Sequence, residues 1–361
     1  MQIPSLRIGD LVAKVPIIQG GMGVGISLSK LASAVSNEGA IGVISAAMIG
    51  IHEPNIFKEP LKTNTEALAR EIRKAKEMTN GILGVNIMVA LSDFSELVKV
   101  AIKERIDVIF AGAGLPLDLP KYVNDGVKTK LVPIISSGRA AKLICKKWLA
   151  KFNYLPDALV VEGPLAGGHL GFKPQQIDKP EFALERLVPE VIKAVIPFEE
   201  AHGKRIPVIA AGGVYNGEDI WKYLNMGAAG VQMGTRFVTT HECDADIAFK
   251  QAYINSKKED IGIIQSPVGL PGRALLNSFL HDVKAGKKTV FKCPYRCIKT
   301  CNYQEAPYCI SSALANAKKG KLKHGFAFVG ENAYRIKEIV SVRELIDSLK
   351  KEISELLSVI K

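Results

Sequence analysis

The sequence predicts an α/β fold, a (β/α)8 or TIM-type barrel of eight parallel strands, with an insertion after the eighth strand. Two observations lead to this fold class. Eight short apolar runs occur within the first 237 residues, and segments with helical periodicity lie between them. The chain also has 361 residues, which suffices for a barrel of about 250 residues and one further segment.

Each predicted strand is a run rich in Val, Ile and Ala that does not alternate between apolar and polar residues. Such runs are typical of strands covered on both faces, as in a parallel sheet. Most of them end in Gly, Ser or Ala. The runs are residues 15–19, 40–46, 84–90, 108–114, 131–137, 157–163, 206–213 and 230–237.

The predicted helices follow the strands one by one and complete the βα units. They are residues 29–38, 65–78, 94–105, 139–152, 182–202 and 218–226, while the fourth unit has only residues 119–124, barely two turns. In such a barrel the active-site groups come from the loops after the strands. An open, doubly wound sheet is the alternative, because the number of strands alone does not close a barrel.

The alternation of strands and helices stops after the eighth strand. This change predicts a chain of three parts, namely a barrel over residues 1–243, a basic, Cys-rich insertion over the barrel mouth at residues 244–326, and a closing helix within residues 327–361. The last part carries apolar residues near the 3.6-residue period of an amphipathic helix, namely Ile339, Val342, Leu345, Ile346, Leu349 and Ile353.

Composition and charge restrict the class of protein. With 47% hydrophobic and 23% charged residues, the chain is neither disordered nor collagen-like. Of the net charge of +12, residues 284–324 carry most, with ten Lys or Arg and one acidic residue. This distribution favours contact with phosphates or an acidic protein and argues against a nucleic-acid-binding surface. An ordinary solvated face is the alternative.

The sequence contains neither a predicted transmembrane segment nor a predicted signal peptide. We therefore expect a cytoplasmic protein without a membrane span. The longest uncharged apolar run, residues 39–51, is shorter than the ~18 residues that a transmembrane helix needs. Residues 1–7 contain no basic segment leading into an apolar one, so no signal peptide is predicted.

The strongest local indication of a binding site is a pair of Gly-rich turns after the seventh and eighth strands. The turn after the eighth strand also contains a side-chain hydroxyl. Exposed backbone N–H groups and a helix beginning near residue 216 are typical of a phosphate site at this place in a barrel. Two tight turns without a ligand are the alternative. The predicted cofactor-binding residues here are Gly212, Gly213, Gln232, Met233, Gly234 and Thr235.

A second Gly-rich loop, with Gly21, Met22 and Gly23, follows the first strand. It is not a dinucleotide fingerprint, because the G-x-G-x-x-G pattern requires Gly where Ile26 stands. Its backbone can lie against a flat ring, or it can be a simple flexible turn. Asn86, a polar residue on an apolar strand, needs hydrogen-bond partners, which either a flavin-like ligand or a backbone group can supply.

His169 is the catalytic candidate, because it lies on a Gly-flanked loop just after the sixth strand, which ends at Glu162. Its imidazole can exchange a proton near neutral pH, and Gly167 and Gly168 leave room for a substrate. A purely structural histidine is the alternative.

Four cysteines in the insertion, Cys293, Cys297, Cys301 and Cys309, have the spacing C-x3-C-x3-C-x7-C. This spacing matches neither the usual zinc pairs nor the common ferredoxin pattern. On a helix that begins at Pro294, the first three would share one face. The residues alone leave two alternatives open, a metal or iron–sulfur site and thiols packed in the insertion.

Five of these segments together resemble the nitronate monooxygenase family, formerly called 2-nitropropane dioxygenases, which includes the FMN-type enoyl-acyl-carrier-protein reductases. The match extends over most of the chain, and the Gly-Gly-His loop is its most specific part. The segments are Pro16-Ile-Ile-Gln-Gly-Gly-Met-Gly23, Gly84-Val-Asn86, Glu162-Gly-Pro-Leu-Ala-Gly-Gly-His169, Ala210-Ala-Gly-Gly-Val214 and Gln232-Met-Gly-Thr-Arg-Phe237.

The resemblance implies an FMN-binding barrel. Backbone around Met22 and Gly23 would pack on the isoalloxazine, and Asn86 and Glu162 would hydrogen-bond around it. The FMN would be lined by Gly167, Gly213 and residues 232–235, with its phosphate at the last two strand ends. His169 would face the substrate beside flavin N5.

The chain departs from the family pattern at two positions. Glu162 stands where many nitronate-oxidising members carry Gln, which favours the enoyl-reductase branch. Leu165 stands where an acidic residue is common, and this favours neither branch.

The resemblance leads to three functional hypotheses. The first is an FMN-dependent nitronate monooxygenase that oxidises alkyl nitronates with dioxygen. The second is an enoyl-acyl-carrier-protein reductase that uses NAD(P)H and recognises an acidic carrier protein through the basic segment. The third is a non-catalytic flavin-binding or thiol redox-sensing barrel. The oligomeric state is open, and a homodimer is one alternative.

Overall fold

The computed structural model describes residues 3–124, 126–287, 293 and 295–359, except for the side chain of residue 359. Its strands in chain order are β1 (Leu6–Ile8), β2 (Leu11–Ala13), β3 (Ile17–Gln19), β4 (Gly42–Ser45), β5 (Leu83–Met88), β6 (Val108–Gly112), β7 (Lys130–Ile135), β8 (Leu159–Glu162), β9 (Gly168–His169), β10 (Val208–Ala211), β11 (Gly230–Met233), β12 (Ile261–Gln265) and β13 (Pro271–Leu275). Its α-helices are α1 (Ser29–Asn37), α2 (Pro60–Met78), α3 (Phe94–Lys103), α4 (Gly138–Phe152), α5 (Leu184–His202), α6 (Gly217–Asn225), α7 (Thr235–Val238), α8 (Ile247–Ile254), α9 (Ser278–Lys284), α10 (Ile310–Lys318) and α11 (Val342–Val359).

The central sheet is a parallel barrel. Its strand order is β3-β11-β10-β8-β7-β6-β5-β4. The ends meet through a parallel bridge between Ile18 and Ile41, where Gln19 N–H donates to the Ile41 carbonyl at 2.9 Å and Ile41 N–H donates to the Ile17 carbonyl at 3.0 Å. The predicted α/β barrel is therefore confirmed, and the open doubly wound sheet is excluded.

The buried Gln19 side chain strengthens this closure. Its Oε1 accepts from Val43 N–H at 3.1 Å, and its Nε2 donates to the Gly20 carbonyl. The amide therefore supplies the backbone pairing that the short strands β3 and β4 do not make, which is why a polar side chain is stable at this buried position.

The barrel interior is filled at its amino-terminal end by a hairpin that the sequence analysis did not predict. Strands β1 and β2 pair antiparallel, and Leu6 and Ile8 pack among inward-facing strand residues such as Val108 and Phe110. A barrel is a packed core and not a pore, so this end is closed. Open space is consequently left at the opposite end, where the strands finish.

The predicted strands and helices all overlap elements of the structure, and the differences lie at their ends. Helix α2 begins at Pro60, five residues before the predicted start, because Pro is favourable in the first turn. Helix α6 begins where predicted, since Asn216 caps it by accepting from Asp219 N–H at 3.0 Å. The short fourth unit is a single 3-10 turn, Leu119–Tyr122.

The chain after β11 contains a β-structure that the sequence pattern did not indicate. Strands β12 and β13 form an antiparallel hairpin, and β13 also pairs with β9 in the loop after β8. The helix predicted within residues 327–361 begins at Val342, so the earlier Ile339 lies outside it. The division of the chain at residues 243/244 and 326/327 stays a prediction.

None of the helices in the described ranges combines the length and the apolar composition needed to cross a bilayer.

Candidate active site

A cavity of about 570 Å³ opens at the carboxyl ends of the barrel strands. Its size falls in the range of small-molecule and cofactor sites, roughly 300–1,000 Å³. The structure brings all the predicted catalytic and cofactor-binding residues to the wall of this cavity. They are Gly21, Met22, Gly23, Asn86, Glu162, Gly167, Gly168, His169, Gly212, Gly213, Gln232, Met233, Gly234 and Thr235. Their roles toward a ligand stay predictions.

Strand register sets the height of the polar side chains in this wall. Glu162 is aligned with Ala211 in β10, and Ala211 is aligned with Gln232 in β11. The Glu162 carboxyl and the Gln232 amide therefore project from the same level of the barrel, with strand β10 between them. Asn86 reaches the cavity from β5 on the other side of the barrel.

The loop after β3 packs very closely on Asn86. A Cβ atom at Gly21 would lie 2.4 Å from the Asn86 Cβ, which no real side chain tolerates. Ser27 holds the loop in place, since its Oγ accepts from Met22 N–H at 2.9 Å. Glycine at position 21 is thus explained by packing between loop and strand, and this packing positions the backbone that borders the cavity.

The turn after β10 is built on two consecutive glycines in the left-handed region, Gly212 (φ +93°) and Gly213 (φ +89°). A Cβ at Gly212 would also lie 2.8 Å from the Gly163 carbonyl oxygen. Asn332 Nδ2 donates to the Gly213 carbonyl at 2.7 Å and thereby orients the turn. This conformation is accessible to glycine at little cost, so the turn depends on both residues.

Thr235 borders the same end of the cavity. Its Oγ1 accepts from Gly330 N–H at 3.2 Å, and a hydroxyl that accepts one hydrogen bond can still donate its own proton. The adjacent Gly234 leaves space, since a Cβ there would meet nothing nearer than the Met22 sulfur at 3.7 Å. Glycine backbone and a hydroxyl donor are groups suited to an anionic oxygen such as phosphate.

His169 is held in position by the chain after the barrel. It belongs to β9, where it is aligned with Gly272 of β13. Its Nε2 lies 2.8 Å from Ser266 Oγ, and its ring packs edge-on against Phe328 with centroids 5.0 Å apart. Burial lowers the pKa of His169 to about 4. The imidazole is therefore neutral at pH 7 and able to accept a proton.

Glu162 faces the cavity from the end of β8, and burial raises the pKa of its carboxyl to about 7. No Lys or Arg forms an ion pair with it among the residues that the structure describes. The carboxyl is thus close to half protonated at neutral pH, so it can either donate or accept a hydrogen bond there.

The pKa of Glu162 makes stability depend on pH. The unfolded chain releases this proton near pH 4.5 and the folded chain near pH 7, so stability falls as pH rises through that window. The variant Glu162→Gln is expected to lack this loss, about 3 kcal/mol. Urea unfolding of flavin-free protein at pH 5 and at pH 8 measures this change in unfolding free energy.

The variant Glu66→Gln, which changes an exposed carboxyl, is the control and should lose as much stability between the two pH values as wild type. If E162Q also loses as much as wild type, the raised pKa does not belong to Glu162.

Sequence reasoning missed the residues that support the loop between Glu162 and His169. Arg273 on β13 is buried, pairs with Glu331, and donates through Nη2 to the Pro164 carbonyl at 2.8 Å. Glu331 N–H donates to the Leu165 carbonyl at 3.1 Å. A buried Arg could have suggested a function, but its burial depends on contacts with Glu331 and Pro164, which lie 58 and 109 positions away in the sequence.

The four cysteines of the insertion lie outside the cavity wall. The predicted helix with three cysteines on one face is wrong for the residues that the structure describes, because residues 295–297 are not helical, Ile298 is bridged to Leu91, and residues 299–300 form a turn. Pro294 itself lies outside the described residues. Among those described, no group of three His, Cys, Asp or Glu side chains is placed to hold a single metal ion.

Comparison with known proteins gives the family. The sequence model of the nitronate monooxygenase family matches residues 5–352. The chain belongs to the nitronate monooxygenase family. This confirms the resemblance found in the sequence motifs.

Relatives of the chain have different names. The chain is 30% identical over 274 residues to a (3aS,4S,5R,7aS)-5-hydroxy-7a-methyl-1-oxo-octahydro-1H-indene-4-carboxyl-CoA dehydrogenase of Mycobacterium tuberculosis, an alignment that covers 76% of this chain and 66% of that protein. It is 28% identical over 305 residues to a probable nitronate monooxygenase of Staphylococcus aureus, covering 74% and 77%. The chain therefore spans just under two thirds of the length of the mycobacterial protein.

Solved structures share the architecture. FabK from Thermotoga maritima is 28% identical, with a TM-score of 0.74 and coverage of 96% of this chain and 94% of that one. Nitroalkane oxidase from Streptomyces ansochromogenes is 21% identical, with a TM-score of 0.74 and coverage of 96% and 98%. At that identity, the second likeness concerns the fold alone.

Proposed function

We propose that this member of the nitronate monooxygenase family is an FMN-dependent oxidoreductase that oxidises alkyl nitronates with dioxygen. The observation that carries the proposal is a neutral, firmly held His169 in a Gly-lined cavity at the barrel mouth. The family and its Staphylococcus relative support the reaction class. A cytoplasmic location stays a prediction from the sequence.

The donor set of the cavity fits FMN. Backbone of Gly212, Gly213 and Gly234 together with the Thr235 hydroxyl would hold the phosphate, while Asn86 and Glu162 would bond to the polar edge of the ring system. The backbone at Met22 and Gly23 would pack on the ring. Bound FMN would supply the two-electron redox chemistry.

His169 would act on the substrate directly. Because its ring is neutral above about pH 4, it can remove the α-proton of a nitroalkane, or hold a nitronate by a hydrogen bond. Contacts to Ser266 and Phe328 keep the ring in one orientation, so little entropy is lost when the substrate binds.

A second candidate, reduction of an enoyl thioester with NAD(P)H, is favoured by the charge of the site. No Lys or Arg lines the cavity within the described part of the chain, and a neutral thioester avoids the cost of burying an anion there. FabK, an enoyl-acyl-carrier-protein reductase, shares the architecture, and the basic segment 284–324 would attract an acidic carrier protein.

Anaerobic absorbance spectra separate these candidates. We expect purified protein to show flavin bands near ~450 nm that bleach on addition of an alkyl nitronate and remain on addition of NADH or NADPH. Bleaching by the nicotinamide alone would replace the first candidate by the second. Flavin that neither reagent bleaches would favour a non-catalytic barrel, and absence of flavin after incubation with FMN would contradict the proposal.

A further inference from the structure

The backbone of residues 297–299, in the Cys-rich part of the insertion, is held against the rim of the barrel. Ser92 N–H donates to the Cys297 carbonyl at 3.0 Å, and Lys299 N–H donates to the Ala90 carbonyl at 3.0 Å. Ile298 between them bridges to Leu91 in the loop after β5. The thiols are thus carried on a segment whose backbone is anchored by the barrel.

The backbone N–H of Arg296 is directed at the Cys293 thiol. Arg296 adopts a left-handed conformation, φ +46°, which is rare for a residue with a side chain. In this conformation its N–H donates to Cys293 Sγ at 3.4 Å. Such N–H···S bonds stabilise negatively charged sulfur, and they are among the groups that tune iron–sulfur centres.

Two of the other thiols lie at the beginning of α10. Cys309 is the residue that precedes this nine-residue helix, so its thiol lies at the positive end of the helix dipole. Cys297 Sγ lies 3.2 Å from Ser311 Oγ in its first turn. The Cys297 thiol is also near enough to the thiols of Cys293, Cys301 and Cys309 to interact electrostatically with each of them.

The arrangement disfavours a single ion. A mononuclear zinc site requires its thiolates within direct reach of one metal atom, and no described group of three ligand side chains meets this condition. An iron–sulfur cluster occupies the space between its ligands, so its four thiolates stand farther apart.

We propose that Cys293, Cys297, Cys301 and Cys309 bind a [4Fe–4S] cluster. The helix N-terminus, the Arg296 N–H and the excess of Lys and Arg in residues 284–324 all favour its negative charge. The site lies near the cavity, since Val24 and Leu314 line the cavity and belong to the same group of packed apolar side chains as Cys297 and Cys309.

The test uses the full chain, purified without oxygen and incubated with ferrous iron and sulfide. We expect about four iron and four sulfide per chain, a broad absorption shoulder near ~400 nm and an electron paramagnetic resonance signal after reduction by dithionite. FMN is quantified on the same sample, so that the cluster and the flavin proposal succeed or fail separately.

The variants Cys297→Ser and Cys301→Ser are expected to lose at least half of the iron and the resonance signal, while keeping the wild-type circular dichroism. Cys145→Ala, a buried cysteine on α4, is the matched control and should keep both. Iron below ~0.5 per chain in wild type, one zinc per chain in its place, or unchanged iron in both serine variants would overturn the proposal.

Discussion

Replacing His169 by Ala is expected to lower kcat/KM by about 10²- to 10⁴-fold, the usual contribution of a general base, while FMN remains bound. The reason is that the variant removes the neutral imidazole that faces the substrate and leaves the Gly-lined wall unchanged. Steady-state kinetics with the substrate identified spectroscopically, together with the flavin content, measure both effects.

The pH profile distinguishes a base from a residue that only shapes the cavity. Wild-type kcat/KM is expected to fall as pH decreases toward about 4, where the His169 imidazole takes up a proton, and H169A should lack this limb. The exposed His281→Ala is the control and should behave as wild type. Activity of H169A within threefold of wild type would remove His169 from the mechanism.

The second large effect that we expect is a loss of stability when the buried Arg273 is replaced. The variant Arg273→Met is expected to lose about 3 kcal/mol of unfolding free energy, because it leaves Glu331 without its cation and the Pro164 carbonyl without its donor. Arg273 has only 6% of its side-chain surface exposed, so water does not compensate for the loss. Urea unfolding of wild type and variant gives the difference.

Two further variants make this prediction specific. Adding Glu331→Gln to Arg273→Met should restore part of the loss, since the unpaired charge is removed. Lys99→Met breaks an exposed pair with Glu96 and should cost less than ~0.5 kcal/mol. An equal cost for R273M and K99M would show that the buried pair does not hold the loop.

The barrel strands could be predicted because their signal is local. A strand covered on both faces needs a short apolar run, and its end is marked by the Gly, Ser or Ala that follows, as at Gly212 and Gly213. The candidate site residues followed from the same rule, because function in this fold collects at the strand ends. All of them line one cavity in the structure.

The support of the site could not be predicted in this way. Strand β13 begins at Pro271 and pairs with Gly168 and His169, about a hundred positions earlier, and no periodic pattern in either segment indicates such a partner. Arg273 looks like a surface residue in the sequence and is buried only because β9, Pro164 and Glu331 surround it. The start of α11, by contrast, has a local signal, since Ser341 Oγ accepts from Glu344 N–H at 3.1 Å and Ser341 N–H donates to Glu344 Oε2 at 2.7 Å, which together form a capping box.

The short pairing of β9 with β13 limits how this enzyme can be re-engineered. A chimera that takes residues 244–326 from a relative would import a new partner strand for His169 together with any new substrate contacts. Since neighbouring positions on a strand point to opposite faces, a one-residue slip in that graft would turn the imidazole away from the cavity. Specificity and histidine placement are therefore inherited together, and successful grafts should exchange residues 163–171 with the insertion as one unit.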